Sequence, residues 1–400
     1  MAVGEANVDF FNVPGVRLAT ISAGIKSESP DVVLFEFVEG SNTAGIFTQS
    51  LFAAAPVILG KEHLELFAPR YFLVNSGNAN AATGDLGIAD ALDCCKATSQ
   101  LTGARPEQIL PFSTGVIGER LPVVKITAVI AELTENLEDG NWLQAATGIM
   151  TTDTRPKIAS RRFEIEGVSV TITGIAKGAG MIQPNMATML SYIATDAKCD
   201  AVLVKELLQD AAEKSFNRIT VDSDTSTNDS CMLTATGASG VDLTVDTART
   251  IFSVELADLM VELAQGIIRD AEGATKFVSV IVESGPSEDV CLEIAYAIAN
   301  SPLVKTAIFA SDANWGRIAM AIGKAKVDID INKLDVYLGD VCLMSGGGKA
   351  PGYTEASGAS VMAKEEITIT VRLNAGDCQQ TVWTSDLSHE YVRINAEYRT

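Results

Sequence analysis

The chain has 400 residues, enough for two or three domain-sized units, and 47% of them are hydrophobic, which is typical of a globular protein. Its 51 acidic and 30 basic residues give a net charge of −21, which repels phosphate backbones and argues against a nucleic-acid partner. The first 26 residues carry Glu5 and Asp9 and lack a basic start followed by an apolar core. We therefore expect no secretion signal, and we see no uncharged run long enough to span a membrane.

Strand patterns occur, in chain order, at residues 32–38, 71–75, 168–175, 277–282 and 367–373. Helix patterns occur at residues 88–101, 200–216, 254–269 and 286–300, and Asp200 is a suitable N-cap for the second of them. Strands and helices are mixed along the chain without strict βαβ alternation. The sequence therefore predicts an α+β fold of layered sheets and helices.

The numbers of cysteine and histidine residues limit the kinds of metal site and catalytic base that the chain can form. Seven cysteines without a Cys-x-x-Cys pair predict reduced thiols in a cytoplasmic protein, with Cys94 and Cys95 buried together in a helix. Only two histidines occur, His63 in an exposed-looking helix or turn and His389 near the C-terminus. A metal site would have to depend on carboxylates, and catalysis would need a base other than histidine.

Three glycine-rich loops lack the residues that would bind a phosphate. Residues 76–84 (SGNANAATG) have no Lys followed by a hydroxyl residue, and residues 346–350 (GGGKA) end in Ala350 where that hydroxyl is required. Residues 177–180 (KGAG) lack the third glycine of a dinucleotide site. All three are better interpreted as tight turns.

The acidic stretch VDSDTSTNDS, residues 221–230, could hold a hard cation through Asp222, Asp224 and Asp229. A calcium loop that starts at Asp222 needs glycine at its sixth position and glutamate at its twelfth, where this chain has Thr227 and Leu233. A hydrogen-bonded polar turn is the better interpretation, and we expect no metal site.

The segment KGAGMIQPNMATML, residues 177–190, carries no His, Cys or carboxylate and yet leads directly into an apolar run. A Thr hydroxyl such as that of Thr188 is a poor nucleophile unless a base lies beside it. The α-amine of Thr188 itself would supply that base if the preceding peptide bond were cut, because a free α-amine has a pKa near ~8. Ala187 is small and leaves the bond before Thr188 accessible.

The same segment resembles the self-cleavage segment of the ornithine acetyltransferases, also called glutamate N-acetyltransferases, of arginine biosynthesis. Further motifs match the family in order along nearly the whole chain: GIFT, AAPV, VNSGNANAATGDLG, FSTGVIGERLP, IMTTDT, VDSDTSTND, DAEGATK, DANWGRI and YVRINAEYRT. The chain departs from the family's usual residues at Gln183, at Thr48-Gln49-Ser50 and at Ala313, none of which is a nucleophile or oxyanion position.

The resemblance implies a self-cleaving enzyme with an N-terminal threonine nucleophile. The chain would cut itself between Ala187 and Thr188 into an α chain, residues 1–187, and a β chain, residues 188–400. Thr188 would then take the acetyl group from N-acetylornithine and pass it to glutamate in a ping-pong reaction. Two α and two β chains would assemble, and the fold would be the layered α+β fold shared with a self-cleaving aminopeptidase group.

The resemblance also assigns the remaining site residues. The hydroxyl of Thr114 and the N–H of Gly115 would form the oxyanion hole. The substrate-binding residues would be Thr151, Lys177, Thr188, Glu272, Asn395 and Thr400. A lysine suits the α-carboxylate of the substrate and an acidic group suits the ornithine ammonium, but the sequence does not determine which residue meets which end.

Two other classes of function remain open at this stage. A Thr-nucleophile amidohydrolase or aminopeptidase of the same fold would use water as the acceptor, whereas Lys177 and Glu272, which match the transferase's amino-acid contacts, favour the transferase. A non-catalytic acidic binding protein would stay as one intact chain. No bound cofactor is expected, and no adenine or pantetheine signature decides whether acetyl-CoA serves as a second acetyl donor.

Overall fold

The computed structural model describes residues 2–6, 8–183 and 189–397. The strands of this part of the chain are β1 Val16–Ile21, β2 Val32–Phe37, β3 Asn42–Phe47, β4 Tyr71–Asn78, β5 Ile109–Val116, β6 Lys157–Ile165, β7 Val168–Lys177, β8 Leu190–Thr195, β9 Ile219–Thr220, β10 Ser230–Ala235, β11 Phe277–Gly285, β12 Asp335–Leu338, β13 Val341–Ser345, β14 Gly348–Lys349, β15 Glu366–Arg372 and β16 Cys378–Ser385. The helices are α1 Ala55–Leu66, α2 Gly84–Thr102, α3 Val123–Glu135, α4 Trp142–Gly148, α5 Ala201–Lys214, α6 Asp246–Arg269, α7 Glu288–Ala299, α8 Pro302–Phe309, α9 Trp315–Gly323, α10 Glu355–Met362 and α11 His389–Glu397.

The chain forms two compact units. Among the described residues, the larger unit spans positions 6–217 and 225–267, and the smaller unit spans positions 2–5, 218–224 and 268–397. Neither unit coincides with the predicted α chain or β chain, because the larger unit takes residues from both sides of position 187.

The larger unit is built on two sheets that face each other. One sheet has the strand order β1-β2-β4-β5 and the other has the order β3-β10-β8-β7-β6. Apolar side chains from both sheets share one buried core, in which the ring of Tyr192 on β8 lies 5.1 Å from those of Phe35 on β2 and Phe112 on β5. Aromatic rings at this spacing attract each other in addition to the area that they bury.

Helices cover the outer faces of both sheets in this unit. Leu59 of α1, Cys94 and Cys95 of α2 and Ile126 of α3 pack in a second core against the outer face of the four-stranded sheet. The helix α5 contacts β3 and β10 of the five-stranded sheet. The unit therefore has four layers, helix, sheet, sheet and helix, and this confirms the predicted α+β class.

The smaller unit contains a sheet with the strand order β14-β13-β12-β15-β11-β16-β9. The pairs β11–β15 and β16–β9 are parallel, and the other pairs are antiparallel. The helices α7, α8, α9 and α10 contribute to its apolar core. No helix in the part of the chain that the structure describes is long and apolar enough to cross a membrane.

Most predicted elements are confirmed, and two details differ. The helix predicted from residue 254 begins at Asp246, because polar residues in its first turns hide the periodic pattern. The expectation that His63 is exposed is wrong: it is 3% exposed, since its face of α1 lies against β5, and its ring Nδ1 is 2.8 Å from the carbonyl oxygen of Ile109. The seven cysteines are free thiols, and Cys94 and Cys95 are buried in α2 as predicted.

Candidate functional site

The predicted oxyanion residues Thr114 and Gly115 lie near the end of β5, which pairs in parallel with β4. Thr114 is 7% exposed. Gly115 has a φ of 134° and faces Gly77 of β4 so closely that an added Cβ would lie 2.3 Å from the Gly77 carbonyl carbon. Only glycine fits there, because any side chain would push the two strands apart at the place where the predicted oxyanion donors are held.

We expect Gly115→Ala to lower kcat by about 10²- to 10³-fold, the usual effect of losing one oxyanion donor. Gly118→Ala is the matched control, because Gly118 also has a positive φ, 87°, but an added Cβ would meet nothing within 4 Å. Steady-state kinetics of both variants, with melting curves, check this. Equal kcat for the two variants would contradict the assigned role of Gly115.

Lys177 connects the two sheets of the larger unit at this place. It is the last residue of β7, and its Nζ donates to the Thr114 hydroxyl oxygen over 3.3 Å. On β8 its partner across the sheet is Leu190, two residues after Thr188 in the sequence. A predicted oxyanion residue and a predicted substrate-binding residue, 63 positions apart in the chain, are therefore in contact.

A fully buried carboxylate, Asp153, supports both Lys177 and Thr151. It accepts hydrogen bonds from the backbone N–H groups of Thr151 at 3.0 Å and Gly178 at 2.7 Å, and from the Nζ of Lys157 at 2.5 Å. Burial by itself would raise the pKa of Asp153, but the ammonium groups of Lys157 and Lys177 outweigh it and hold that pKa well below its usual range. Asp153 is therefore ionised, and it fixes the backbone beside two predicted substrate-binding residues.

Two further side chains, from Lys26 and Ser76, hold the loop that leads to Thr151. The Nζ of Lys26 donates to the carbonyl oxygen of Met150 at 2.9 Å, and the hydroxyl of Ser76 donates to that of Gly148 at 2.6 Å. Burial lowers the pKa of Lys26, although the carboxylates of Asp31 and Asp153 oppose this. The loop is thus fixed by side chains that the sequence motifs did not single out.

A second buried carboxyl group belongs to Asp229, which directly precedes β10. Its side chain is fully buried, and burial raises its pKa well above the usual range against the charge of Lys177. The amide of its neighbour Asn228 donates to the carbonyl oxygens of Ala79 at 2.6 Å and Ser113 at 2.9 Å, and so ties this turn to the end of β5. The polar-turn interpretation of residues 221–230 is confirmed.

Glu272 and Asn395 lie together in the smaller unit. The Asn395 amide donates to the Glu272 Oε2 over 2.7 Å and to the Tyr391 carbonyl oxygen over 3.0 Å, one turn earlier in α11. Tyr391 in turn donates its hydroxyl to Asp222 over 3.0 Å. The structure thus brings these two predicted substrate-binding residues into contact, with the Glu272 carboxylate next to the Asn395 amide.

Ala187, Thr188 and Thr400 lie outside the described residues, so the nucleophile and the cleavage position stay predictions. Met189, which follows Thr188 in the sequence, is described: its carbonyl oxygen accepts from the Ser230 N–H over 3.0 Å at the start of the β8–β10 pair. Lys177 on one side and Asp229 and Ser230 on the other therefore flank the start of β8. In the described residues no group of three or more His, Cys, Asp and Glu side chains is arranged to hold a metal ion.

Sequence reasoning missed Asp153, Lys157 and Lys26 as site residues. Asp153 lies within the IMTTDT motif, but a motif does not show that its acid is buried or which lysines surround it. The separation of Asp153 and Lys157 by four residues was the available signal, although an (i, i+4) pair is normally sought on helices and this pair lies in a loop and a strand.

The molecule is thus a mixed α+β protein with a cluster of hydroxyl, ammonium and buried carboxyl groups inside one unit, an arrangement typical of an enzyme site. A model of the ArgJ family matches residues 17–400. The arginine biosynthesis bifunctional protein ArgJ of Pseudomonas syringae pv. tomato is 53% identical over 100% of both chains. The chain belongs to the ArgJ family, and the resemblance seen in the sequence is confirmed.

Two solved structures are also similar. The arginine biosynthesis bifunctional protein ArgJ of Bacillus halodurans is 34% identical, with a TM-score of 0.48, over 51% of this chain and 96% of that one. The ornithine acetyltransferase of Mycobacterium tuberculosis, solved in complex with ornithine, is 33% identical, with a TM-score of 0.40, over 44% of this chain and 94% of that one.

Proposed function

We propose that the chain cuts itself between Ala187 and Thr188 and then moves an acetyl group from N-acetylornithine to glutamate through Thr188. As a member of the ArgJ family, the chain is an acyltransferase of arginine biosynthesis. The observation that supports these residue assignments best is the contact of Lys177 with Thr114 beside the start of β8. This contact joins the predicted oxyanion hole to a predicted substrate-binding residue. It lies close to the start of β8, which follows Thr188 in the sequence.

The reaction follows from the groups available. The α-amine of Thr188, freed by cleavage, takes the proton of its own hydroxyl, and the hydroxyl oxygen attacks the acetyl carbonyl carbon. Thr114 and Gly115 donate hydrogen bonds to the oxygen that becomes negatively charged. Ornithine leaves with a proton on its α-amine, and the acetyl group stays on Thr188 as an ester. The amine of glutamate then attacks this ester and releases N-acetylglutamate.

Substrate recognition is divided between groups of opposite charge. Lys177, held beside the ionised Asp153, is suited to a substrate carboxylate, and Thr151 offers a hydroxyl on the loop that Asp153 supports. Glu272, oriented by Asn395, is suited to the distal ammonium of ornithine. We propose that Thr400 is a substrate-binding residue as well.

We expect Lys177→Met to raise the KM for N-acetylornithine by about 10- to 100-fold, because a hydrogen bond to a charged group contributes about 1.5–3 kcal/mol. Lys198→Met is the matched control, because Lys198 is an exposed lysine that pairs with the surface carboxylate of Asp242. Initial rates over a range of donor concentrations check this. Similar KM values for the two variants would exclude Lys177 from donor binding.

The activity itself is tested by giving the purified protein N-acetylornithine and glutamate and measuring ornithine, N-acetylglutamate and free acetate. Equal amounts of ornithine and N-acetylglutamate are expected. Release of acetate without N-acetylglutamate would instead identify an amidohydrolase that uses water as its acceptor. Replacing N-acetylornithine by acetyl-CoA in the same assay determines whether acetyl-CoA is a second donor, in a reaction for which we propose no bound cofactor.

We also propose that two α and two β chains assemble in the cytoplasm, as the resemblance implies. Native mass measurement of the purified protein tests the assembly. A mass near four half-length chains is expected, and a mass equal to a single 400-residue chain would contradict it.

A further inference from the structure

Lys26 lies in the loop between β1 and β2, and a buried carboxylate fixes its backbone. Asp31 is 0% exposed, and one of its carboxylate oxygens accepts from the backbone N–H of Ala23 over 2.6 Å. The other oxygen accepts from the N–H groups of Ile25 over 2.6 Å and of Lys26 over 2.9 Å. The position from which the Lys26 side chain starts is therefore set by a group that the fold keeps in its interior.

The stem of the Lys26 side chain packs against the glycine pair at the end of β4 and β5. An added Cβ at Gly77 would lie 3.0 Å from the Cγ of Lys26, so the side chain uses space that only glycine leaves open. Gly77 pairs with Gly115, whose N–H is a predicted oxyanion donor. Lys26 is therefore packed against the residue that faces the predicted oxyanion hole.

The Lys26 ammonium group has donors to spare. Among residues 2–6, 8–183 and 189–397 its Nζ donates one hydrogen bond, to the carbonyl oxygen of Met150 over 2.9 Å. An ammonium group has three N–H donors, so two remain for a ligand or for water. Met150 directly precedes Thr151, a predicted substrate-binding residue, so these donors lie beside the loop where the substrate is expected.

Lys26 and Lys177 approach the same place from different sheets. Lys26 follows β1 of the four-stranded sheet, and Lys177 is the last residue of β7 in the five-stranded sheet. Burial lowers the pKa of Lys26, and the charge of Lys177 lowers it too, against the carboxylates of Asp31 and Asp153. The two ammonium groups are therefore close enough to repel each other, and a bound anion would relieve that repulsion.

The hydrogen bonds of the two lysines leave room for an anion. Lys26 donates to a neutral carbonyl group, and Lys177 donates to the neutral hydroxyl of Thr114 over 3.3 Å. The nearby Asp153 carboxylate is in direct contact with a third lysine, Lys157. In a chain with a net charge of −21, a place where two ammonium groups meet is suited to a carboxylate ligand.

We propose that Lys26 supplies a second ammonium group, beside that of Lys177, to bind the α-carboxylate of the substrates, an inference that rests on the proposed function. N-acetylornithine and glutamate both carry an α-carboxylate next to the nitrogen that loses or receives the acetyl group. One pair of lysines therefore serves the donor in the first half of the ping-pong reaction and the acceptor in the second. The carboxylate offsets the repulsion between the two ammonium groups.

The test compares N-acetylornithine with its α-amide, in which an uncharged carboxamide replaces the α-carboxylate, as acetyl donors with glutamate as the acceptor. The ratio of the two kcat/KM values measures the preference for the carboxylate. We expect Lys26→Met to reduce this ratio by about 10- to 100-fold, the usual effect of removing a hydrogen bond to a charged group. A general loss of structure would lower both kcat/KM values together and leave their ratio unchanged.

Ser76→Ala is the matched control, because Ser76 holds the same loop without a charge. Its hydroxyl donates to the carbonyl oxygen of Gly148 over 2.6 Å, as Lys26 donates to that of Met150. We expect Ser76→Ala to keep the carboxylate preference of the unchanged protein, even where it slows both donors. An equal loss of preference in Ser76→Ala and Lys26→Met would overturn the inference, because support of the loop would then explain both.

A second variant separates the charge of Lys26 from its hydrogen bond. Lys26→Gln keeps an N–H donor for the Met150 carbonyl oxygen but has no charge, so it should lose the carboxylate preference as Lys26→Met does. Full preference in both Lys26 variants would overturn the inference and leave the proposed function standing. If the unchanged protein releases no ornithine from N-acetylornithine, the proposed function is wrong and the inference fails with it.

Discussion

Thr188→Ala should leave the chain whole and without acetyltransferase activity, because the substitution removes the proposed nucleophile of both reactions. The unchanged protein, of 42.2 kDa, should separate under denaturing conditions into pieces of about 20 and about 22 kDa, in proportion to the lengths of residues 1–187 and 188–400. Denatured mass spectrometry of freshly purified protein, with the two-substrate assay on the same samples, measures both effects.

Two controls make the Thr188 result specific. Thr195→Ala changes a buried threonine that is the last residue of β8, the strand that follows Thr188 in the sequence, and should be cleaved and active. Thr188→Ser keeps a hydroxyl group and should be cleaved, with altered rate. Cleavage of the Thr188→Ala chain at the same peptide bond would show that another group attacks there, and the proposed mechanism would fail.

The second large effect is expected from Asp153→Ala, which removes the partner of a buried lysine. The side chains of Asp153 and Lys157 are 0% and 3% exposed, so the substitution removes the carboxylate that lies 2.5 Å from a buried ammonium group. Breaking such a pair from one side costs about 3–5 kcal/mol of unfolding free energy. Because Asp153 also holds Thr151 and Gly178, we expect a raised KM in whatever protein still folds.

Chemical denaturation of Asp153→Ala is compared with that of Asp93→Ala, a carboxylate whose pair with Lys96 is more than half exposed on both sides. Exposed pairs of this kind contribute about 0–1 kcal/mol, so the control should change the denaturation midpoint little. Similar midpoints for both variants would show that the buried pair is not important for stability.

The same carboxylate predicts a dependence of stability on pH. Since the pKa of Asp153 is lower in the folded protein than in the unfolded chain, its contribution to stability is complete above its unfolded pKa of about 3.9. The contribution is lost as the pH falls below that value towards the folded pKa. The difference in stability between the unchanged protein and Asp153→Asn should therefore shrink as the solution is acidified.

The sequence predicted the individual helices and strands whose residue patterns are local. Asp200 caps α5 by accepting a hydrogen bond from the Leu203 N–H over 2.9 Å, as the sequence indicated. The strand patterns at residues 32–38 and 71–75 form β2 and β4. The contact of Lys177 with Thr114 was not predictable from local pattern, because it depends on how two sheets face each other. Family resemblance placed both residues in one site, and the structure then brought them together.

The buried acids show why the remainder of the site was missed. In the sequence, Asp229 is one of three aspartates in a polar turn, and nothing local separates it from Asp222, which accepts the Tyr391 hydroxyl. Its burial arises only when β10 pairs with β8 and β3. Asp153 likewise gains its partners only because Lys157 of β6 and Gly178, which directly follows β7, are brought near it by the pairing of these two strands. The burial and the charged neighbours of these two carboxyl groups arise from tertiary structure, so the local sequence does not predict them.

The strand order of the five-stranded sheet predicts whether the two products of the proposed cleavage would stay together. Its order, β3-β10-β8-β7-β6, places β3, β7 and β6 from before position 187 around β10 and β8 from after it, so backbone ladders cross the cut at β3–β10 and at β8–β7. Cleavage should therefore release nothing from the folded protein. Once unfolded, however, a chain cut as proposed would be two separate molecules. Its refolding should therefore slow on dilution, whereas the uncut Thr188→Ala chain should refold at a rate independent of concentration.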